Sequence, residues 1–303
     1  MIITLTLNPA FDVHATLEEF KAGHENLAEK VTRDVGGKGI NISRALTANG
    51  IENRALVVTG DENAADFREG LRREKLDFTE IAVPGRIREN ITIHPASGDE
   101  TRLSFRGFSA PGLLTKVEEI LDASENDIVT FTGSLPGGVT PDEAGEFLKK
   151  LVDSGAKVVI DSKSITLDQL RRIKPWLIKP NDEELEAYFG KLDDEKMLAA
   201  AKNLHADGIG NVAVSLGAKG SILVTDSGIY RATPPKIDAV STIGAGDSMI
   251  AGFIAATTLG VDDESKLRIA SAFGTAACLR EGTNPPLPAD ISRISAGITI
   301  EQE

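Results

Sequence analysis

Ser241-Thr-Ile-Gly-Ala-Gly-Asp247-Ser-Met-Ile-Ala-Gly-Phe-Ile-Ala-Ala-Thr-Thr-Leu-Gly260 is the stretch that decides the fold. Its first glycines free the backbone, and after Asp247 an apolar run without proline continues to Gly260, a residue typical of a helix end. The pattern predicts a tight loop that leads directly into a largely buried helix. An anion would bind at the positive end of that helix, against the free amides of Gly244, Ala245 and Gly246.

Asp247 lies in the first turn of this predicted helix, where it would repel a phosphate that the loop merely cradled. A carboxylate that removes a proton from an incoming hydroxyl, next to amides that stabilise a phosphoryl group in transfer, forms a compact phosphotransfer site. The alternative is that Asp247 only caps a helix, because aspartate is common at helix N-termini. The remainder of the chain has to decide between the two.

Composition restricts the classes of partner. The chain has 303 residues, enough for one large α/β domain, and a formal net charge of −13. Nucleic acid and anionic membranes do not attract an acidic protein, so we expect neither as a partner. The chain has a single cysteine, no signal-peptide pattern and no apolar run near the ~20 residues of a membrane span, which predicts a cytoplasmic protein.

A second glycine-rich stretch, Val35-Gly-Gly-Lys-Gly-Ile-Asn-Ile-Ser-Arg-Ala-Leu-Thr-Ala-Asn-Gly50, also leads into a predicted helix. Lys38 and Asn41 project from its first turn. A cation at that position opposes the helix dipole, so an anionic or sugar ligand explains Lys38 better than stability does. The glycine spacing matches neither the dinucleotide-binding fingerprint nor the Walker A sequence, which argues against NAD binding and against a P-loop ATPase.

Strands and helices alternate along most of the chain, as expected for a parallel sheet covered by helices on both faces. The predicted strands include Ile2–Leu7, Ala55–Gly60, Ile128–Thr132, Val158–Asp161, Leu177–Lys179 and Val212–Leu216, and the predicted helices include 141–154, 166–173, 182–189 and 195–207. Ser221–Thr233 predicts an antiparallel hairpin at the sheet edge, and from Pro285 onward we expect only a short closing helix.

Several polar residues follow predicted strands, where ligands of such sheets gather. Asp12, just past the first strand, is either a ligand for sugar hydroxyls or a solvated loop acid. Asn181 and Glu184 stand one helical turn apart and could hold a hydrated Mg²⁺, although the same pair is typical of a plain helix N-terminus.

The segment Arg86–Gly107 predicts a β-hairpin with one polar, basic face and one apolar face. The polar face carries Arg88, Arg102 and Arg106, which in so acidic a chain form a candidate clamp for a phosphate. An ordinary solvated strand face is the alternative.

In these motifs the chain resembles the PfkB carbohydrate kinase family, which has the ribokinase-like fold, over nearly its whole length. The resemblance rests on Asn8-Pro-Ala-Phe-Asp12, Gly36-Gly-Lys-Gly-Ile-Asn41, Gly133-Ser-Leu-Pro136, Lys179-Pro-Asn181 with Glu184, Val214-Ser-Leu-Gly217 and Thr242-Ile-Gly-Ala-Gly-Asp247-Ser. Within the family, the chain is similar to the branch of 1-phosphofructokinases and tagatose-6-phosphate kinases, which phosphorylate sugar phosphates.

The resemblance implies a three-layer α/β sandwich over residues 1–303, with a mainly parallel central sheet and a small β-sheet lid formed by segments 13–33 and 86–106. In many family members the lid closes over the sugar and packs against the lid of a partner, which implies a possible homodimer. The family also implies ATP and Mg²⁺ as cofactors and a small phosphosugar as the other substrate.

Carried over residue by residue, the resemblance implies Asp247 as the base, with Gly244, Ala245 and Gly246 as the anion hole. The implied ligands of the phosphosugar are Asp12, Gly37, Lys38, Asn41, Arg88, Arg102 and Ser134. The implied nucleotide-binding residues are Lys179, Asn181, Ser215, Gly217 and Asn284. Glu184 and, indirectly, Asn181 would arrange Mg²⁺.

The leading hypothesis is therefore a kinase that converts fructose 1-phosphate to fructose 1,6-bisphosphate by direct in-line transfer. Tagatose 6-phosphate, fructose 6-phosphate, and an unphosphorylated sugar or nucleoside are the alternative acceptors. A non-catalytic sugar-phosphate sensor is a more distant alternative. Asp247 argues against a sensor, because a sensor has no need of a base that repels its ligand.

Overall fold

The computed structural model describes residues 1–303 as a ten-stranded sheet, a four-stranded sheet and ten α-helices. The strands are β1 Ile2–Thr6, β2 Ala10–Glu19, β3 Lys30–Gly36, β4 Arg54–Gly60, β5 Phe78–Val83, β6 Arg88–Ser97, β7 Thr101–Ser104, β8 Ile128–Thr132, β9 Lys157–Asp161, β10 Leu177–Ile178, β11 Asn211–Ser215, β12 Ser221–Thr225, β13 Gly228–Thr233 and β14 Thr299–Gln302. The helices are α1 Lys38–Ala48, α2 Ala64–Arg73, α3 Leu113–Leu121, α4 Pro141–Asp153, α5 Leu167–Ile173, α6 Asp182–Phe189, α7 Asp194–Ala206, α8 Ala245–Thr258, α9 Asp263–Ala277 and α10 Pro288–Gly297.

The central sheet has the strand order β14-β13-β12-β11-β10-β9-β8-β1-β4-β5. From β11 to β5 all neighbours are parallel, and β12, β13 and β14 add an antiparallel edge. The carboxyl ends of the parallel strands therefore meet along one edge of the sheet. The order reverses beside β1, and a crevice for ligands is expected at such a point.

Helices cover both faces of this sheet. Alternate strand residues point to opposite faces, so Ile3 and Leu5 join a core of 46 buried residues while Ile2 joins a second core of 24. The larger core packs the sheet against α2 to α7, and the smaller one packs it against α1, α8, α9 and α10. The three-layer α/β sandwich predicted from the sequence is confirmed.

The four-stranded sheet stands apart from the central sheet and has the order β3-β2-β6-β7. Its register aligns Asp12 with Asn90 and Val13 with Ile91, and Ile91 in turn with Leu103. Because side chains alternate along each strand, one face is polar and faces the cleft, while the other is largely apolar. The two faces predicted for the hairpin are present, and β2 and β3 extend them.

Two sequence expectations were wrong. Asp12 does not lie in a loop: it is the third residue of β2, which starts directly after the turn at Asn8 and Pro9 and pairs with β6. The hairpin of β12 and β13 is not at the sheet edge, because β14 pairs with β13 beyond it. Four residues at a chain end are too few to show an alternation, so the sequence indicated only the closing helix.

None of the helices is both long enough and apolar enough to cross a bilayer.

Candidate active site

A cleft of about 1320 Å³ lies at the carboxyl ends of the parallel strands, beneath the polar face of the small sheet. All but two of the predicted site residues line it, namely Asp12, Gly37, Lys38, Asn41, Arg88, Arg102, Ser134, Lys179, Asn181, Glu184, Ser215, Gly217, Gly244, Ala245, Gly246 and Asp247. The fold thus brings together residues from nearly every part of the chain. The functional roles of these residues stay predictions.

Two residues singled out from the sequence lie outside the cleft. Asn284 is exposed, and its side-chain amide donates to the Glu281 carbonyl at 2.9 Å, while its neighbour Thr283 lines the cleft instead. Arg106 is exposed beyond the end of β7 and is not among the lining residues, so only Arg88 and Arg102 of the three arginines face the cleft. Strand alternation could not indicate where β7 ends.

Helix α8 begins at the glycine-rich loop, with Gly244 as its N-cap at φ 77°, a left-handed conformation that favours glycine. The amide of Ala245 donates to the Thr242 carbonyl at 3.4 Å. The amides of Gly246 and Asp247 have no acceptor within the chain. Free amide donors are therefore present at this helix end, although the amide of Ala245 is partly used and Asp247 adds its own amide to those predicted.

Asp247 is only 5% exposed at the floor of the cleft, and its Oδ2 accepts a hydrogen bond from Asn41 Nδ2 at 2.8 Å. Burial raises the pKa of Asp247 to about 6, against the opposing effect of Lys38. A carboxylate with this pKa is mostly ionised at neutral pH yet is a stronger base than an exposed aspartate. These are the properties of a general base.

Lys38 projects from the first turn of α1, as predicted, and its Nζ donates to Asp161 Oδ2 at 2.9 Å. Burial alone would lower the pKa of Lys38, but Asp161 and Asp247 raise it, so the ammonium stays charged. Burial alone would raise the pKa of Asp161, but Lys179 and Lys38 lower it. Asp161 was not among the predicted site residues, although its place at the end of a strand could have indicated it.

Lys179 is a buried lysine beneath the N-terminus of α8. A Cβ built on Gly246 would lie 3.0 Å from its Nζ, so the absence of a side chain at Gly246 makes room for the ammonium. The ammonium lowers the pKa values of Asp161 and Asp247 but is hydrogen-bonded to neither. A buried ammonium with free donors beside a helix N-terminus favours binding of an anion.

The opposite wall of the cleft is polar and basic. Asp12 accepts from Asn90 Nδ2 at 2.9 Å, and Arg88 Nη2 donates to the Asn8 carbonyl at 3.1 Å. Arg88 Nε is buried without any acceptor. Burial lowers the pKa of Arg88, and the nearby Arg102 adds to this effect in spite of Asp12. Two neighbouring guanidinium groups on one wall of the cleft favour binding of an anion.

Asn181 and Glu184 form the capping box of α6, the alternative that the sequence left open. Glu184 N donates to Asn181 Oδ1 at 2.8 Å, and Asn181 N donates to Glu184 Oε2 at 3.2 Å. Glu184 Oε1 is 3.8 Å from Lys163 Nζ and faces the cleft. No group of three or more histidine, cysteine or acidic side chains is close enough to form a complete metal cage.

Comparison with known proteins identifies the family. The model of the pfkB family of carbohydrate kinases matches residues 6–290. The 1-phosphofructokinase of Haemophilus influenzae is 36% identical over 282 residues, which cover 91% of this chain and 90% of that protein.

Solved structures share the fold. Phosphofructokinase-2 of Escherichia coli in complex with fructose-6-phosphate has a TM-score of 0.89 at 26% identity, covering 97% of this chain and 98% of that one. Ribokinase of Thermotoga maritima has a TM-score of 0.79 at 24% identity with the same coverage, which confirms the ribokinase-like fold. The chain belongs to the pfkB family of carbohydrate kinases.

Proposed function

We propose that the protein is an ATP-dependent kinase that converts fructose 1-phosphate to fructose 1,6-bisphosphate. The observation that carries the proposal is Asp247, a buried carboxylate with a pKa of about 6 beside free amides at the N-terminus of α8. The relative named 1-phosphofructokinase, which is 36% identical over most of both chains, supports the choice of acceptor.

The reaction follows from the position of Asp247. Its carboxylate takes the proton of the C6 hydroxyl of fructose 1-phosphate, and the hydroxyl oxygen attacks the γ-phosphorus of ATP while the bond to ADP breaks. The chain offers no activated nucleophile in the cleft, so the phosphoryl group passes directly without a phosphoenzyme. The proton on Asp247 then leaves to solvent when the products depart.

The charge of the transferred phosphoryl group is stabilised from three directions. The free amides of Gly246 and Asp247 donate to its oxygens, and the ammonium groups of Lys38 and Lys179 neutralise it. Lys38 has three donors and uses one of them on Asp161, so it can bind a phosphate oxygen without leaving that carboxylate.

The phosphate that the acceptor already carries binds at the opposite wall. Arg88 and Arg102 both line the cleft, and Arg102 lies close enough to lower the pKa of Arg88. Ser134 faces the same space, and its hydroxyl accepts from Asn8 Nδ2 at 3.1 Å, which leaves its own proton to donate. Asp12 and Asn41 are then placed for the sugar hydroxyls.

Mg²⁺ fits this site as a partly hydrated ion. Asp161 and Glu184 line the cleft and would hold such an ion through their carboxylate oxygens, and Asn181 caps the helix that carries Glu184. When bound, Mg²⁺ neutralises the β- and γ-phosphate charge of ATP. ATP itself occupies the end of the cleft lined by Ser215, Gly217 and Thr283.

Fructose 6-phosphate is the second candidate acceptor, because a structural neighbour with a TM-score of 0.89 was solved with that sugar. The test is ADP release with Mg·ATP and each of fructose 1-phosphate, tagatose 6-phosphate, fructose 6-phosphate, fructose and ribose. The highest kcat/KM with fructose 1-phosphate is expected. A preference for fructose 6-phosphate would replace the acceptor, a preference for unphosphorylated sugars would remove the phosphate site, and no ADP release would contradict the kinase.

The small sheet is proposed to act as a lid and as the contact of a homodimer. Leu103 and Phe105 on its apolar face are 48% and 51% exposed, as expected for side chains that a partner covers. We expect a dimer by light scattering that Leu103→Glu converts to a monomer. Leu259→Glu, at an equally apolar but distant site that is 69% exposed, is the control and should stay dimeric. A monomeric parent protein would contradict this contact.

A further inference from the structure

Arg44 is a buried arginine of α1 that the chemistry above does not use. It is 7% exposed and lies three residues after Asn41, with its guanidinium behind the floor of the cleft. An arginine is seldom buried this deeply unless its charge is paired and its donors are satisfied. All five of its N–H groups have acceptors here.

Glu74, which caps the C-terminus of α2, fixes the plane of the guanidinium. Arg44 Nη2 donates to Glu74 Oε1 at 2.6 Å, and Arg44 Nε donates to the other carboxylate oxygen. The second N–H of Nη2 donates to the carbonyl of Val35 at the base of the small sheet. This bidentate pair leaves only Nη1 facing the active site.

One N–H of Nη1 sets the orientation of the Asn41 side chain. It donates to Asn41 Oδ1 at 3.0 Å, so the amide nitrogen of Asn41 points the other way and donates to Asp247 Oδ2 at 2.8 Å. Rotating the amide by half a turn would place its oxygen against the carboxylate and its NH₂ against the guanidinium. Both contacts would then be repulsive.

The other N–H of Nη1 reaches the loop that follows α9. It donates to Thr283 Oγ1 at 3.1 Å. Thr283 in turn packs against Gly244, since a Cβ built on that glycine would lie 3.5 Å from the Thr283 Cα. The Arg44 guanidinium therefore contacts two residues that border the start of α8. Asn41 is hydrogen-bonded to the Asp247 carboxylate, and Thr283 packs against Gly244 beside the free amides.

We infer that Arg44, anchored by Glu74, is a positioning residue that holds Asn41 with its amide nitrogen toward Asp247 and holds Thr283 against the start of α8. The inference rests on the proposed role of Asp247 as the base. Without Arg44 the Asn41 amide is free to turn, and the carboxylate loses a hydrogen bond to its charged form. The pKa of Asp247 then rises.

The test is the pH dependence of kcat in Arg44→Met and Arg44→Lys. Lys38, Asp161 and Lys179 also act on Asp247, and none of them contacts Arg44, so their contributions stay constant between the variants. We expect the acidic limb of kcat, measured at saturating substrates, to move to higher pH by roughly half a unit to one unit. Arg44→Lys keeps a cation for Glu74 but lacks the planar fork that reaches Glu74, Asn41 and Thr283 together, so we expect a shift in the same direction.

Two controls separate positioning from a general structural role. Arg73→Met removes an exposed arginine and its ion pair with Glu69, and should leave the limb unchanged. In an Asn41→Ala background, Arg44→Met should no longer move the limb, because the group that transmits the effect is gone. A lower melting temperature without a shift of the limb, or a shift that persists in Asn41→Ala, would overturn the inference.

A titration without turnover separates this inference from the proposed function. The carboxyl ¹³C signal of Asp247, assigned by its absence in Asp247→Asn, reports the same pKa by NMR. If the parent protein transfers no phosphate, the proposed function fails while this titration still tests Arg44. If the enzyme is active and the signal titrates identically in Arg44→Met and the parent, only the role of Arg44 is refuted.

Discussion

Asp247→Asn should sharply lower turnover and stabilise the protein at the same time. Asparagine has the shape of aspartate, and its side-chain oxygen can still accept from Asn41. The substitution removes the base without emptying the site. Loss of general base catalysis lowers kcat by about two orders of magnitude or more, with little effect on either KM.

The gain in stability follows from the raised pKa of Asp247. Burial moves it from 3.8 to about 6, so ionised Asp247 destabilises the folded state by on the order of 2 to 3 kcal/mol at neutral pH. Between pH 3.8 and about 6, Asp247 keeps its proton in the folded protein but has lost it in the unfolded protein. The cost is therefore absent below about pH 4, grows as the pH rises, and is complete above about pH 6. Asparagine carries no such cost.

Urea unfolding of both proteins between pH 4.5 and 8, with the kcat of each at pH 7.5, tests both parts. The difference in the free energy of unfolding should be about a third of its full value at pH 4.5 and reach its full value near pH 7. Asp168→Asn, which changes a 95% exposed side chain, is the control and should differ from the parent by a few tenths of a kcal/mol. Near-normal turnover in Asp247→Asn, or a stability difference that does not vary with pH, would refute the assignment.

Arg88→Ala should raise the KM for fructose 1-phosphate by about 10- to 100-fold, since it removes charge-assisted hydrogen bonds, and should change the KM for ATP much less. Arg106→Ala, outside the cleft, is its control, and equal effects on both substrates would contradict a phosphate site at Arg88. Gly39→Ala should lower the free energy of unfolding by about 2 to 3 kcal/mol in urea titrations, because its Cβ would lie 2.4 Å from the backbone carbonyl of Leu5. Gly50→Ala, where the space is open and only φ 73° is unfavourable, should lower it by about 1 kcal/mol, and equal losses would contradict the close packing of α1 on β1.

Elements with strong local patterns were predicted closely. The strand Ile128–Thr132 has the predicted bounds, and α4 starts at Pro141 because Thr140 and Glu143 form a capping box. Apolar alternation and capping involve residues only a few positions apart, so sequence alone contains them. The strand β14 was missed for the opposite reason: its pairing with β13 joins residues about 70 positions apart, such as Ala232 and Ile300.

In the candidate site, too, the local features were predicted and the long-range contacts were not. The glycine-rich starts of α1 and α8 and the place of Lys38, Asn41 and Asp247 in their first turns were evident from the sequence. The hydrogen-bond partner of each of these side chains was not evident from the sequence. Arg44 looked like an ordinary helix residue, because nothing in its neighbourhood along the chain indicates that its guanidinium meets Glu74 and Thr283.

The sequence by itself determined the fold class, the two glycine-rich helix starts and the residue types of the candidate site, since glycine placement and apolar periodicity act through the local backbone. Only the tertiary structure decided that Asp247 meets Asn41, 206 residues away, and that Lys38 meets Asp161, 123 residues away. It also decided which α8 amides remain free and that Asn284 lies outside the cleft. These features depend on the order of strands in the sheet, which brings distant segments to one edge and is set by packing of the whole chain.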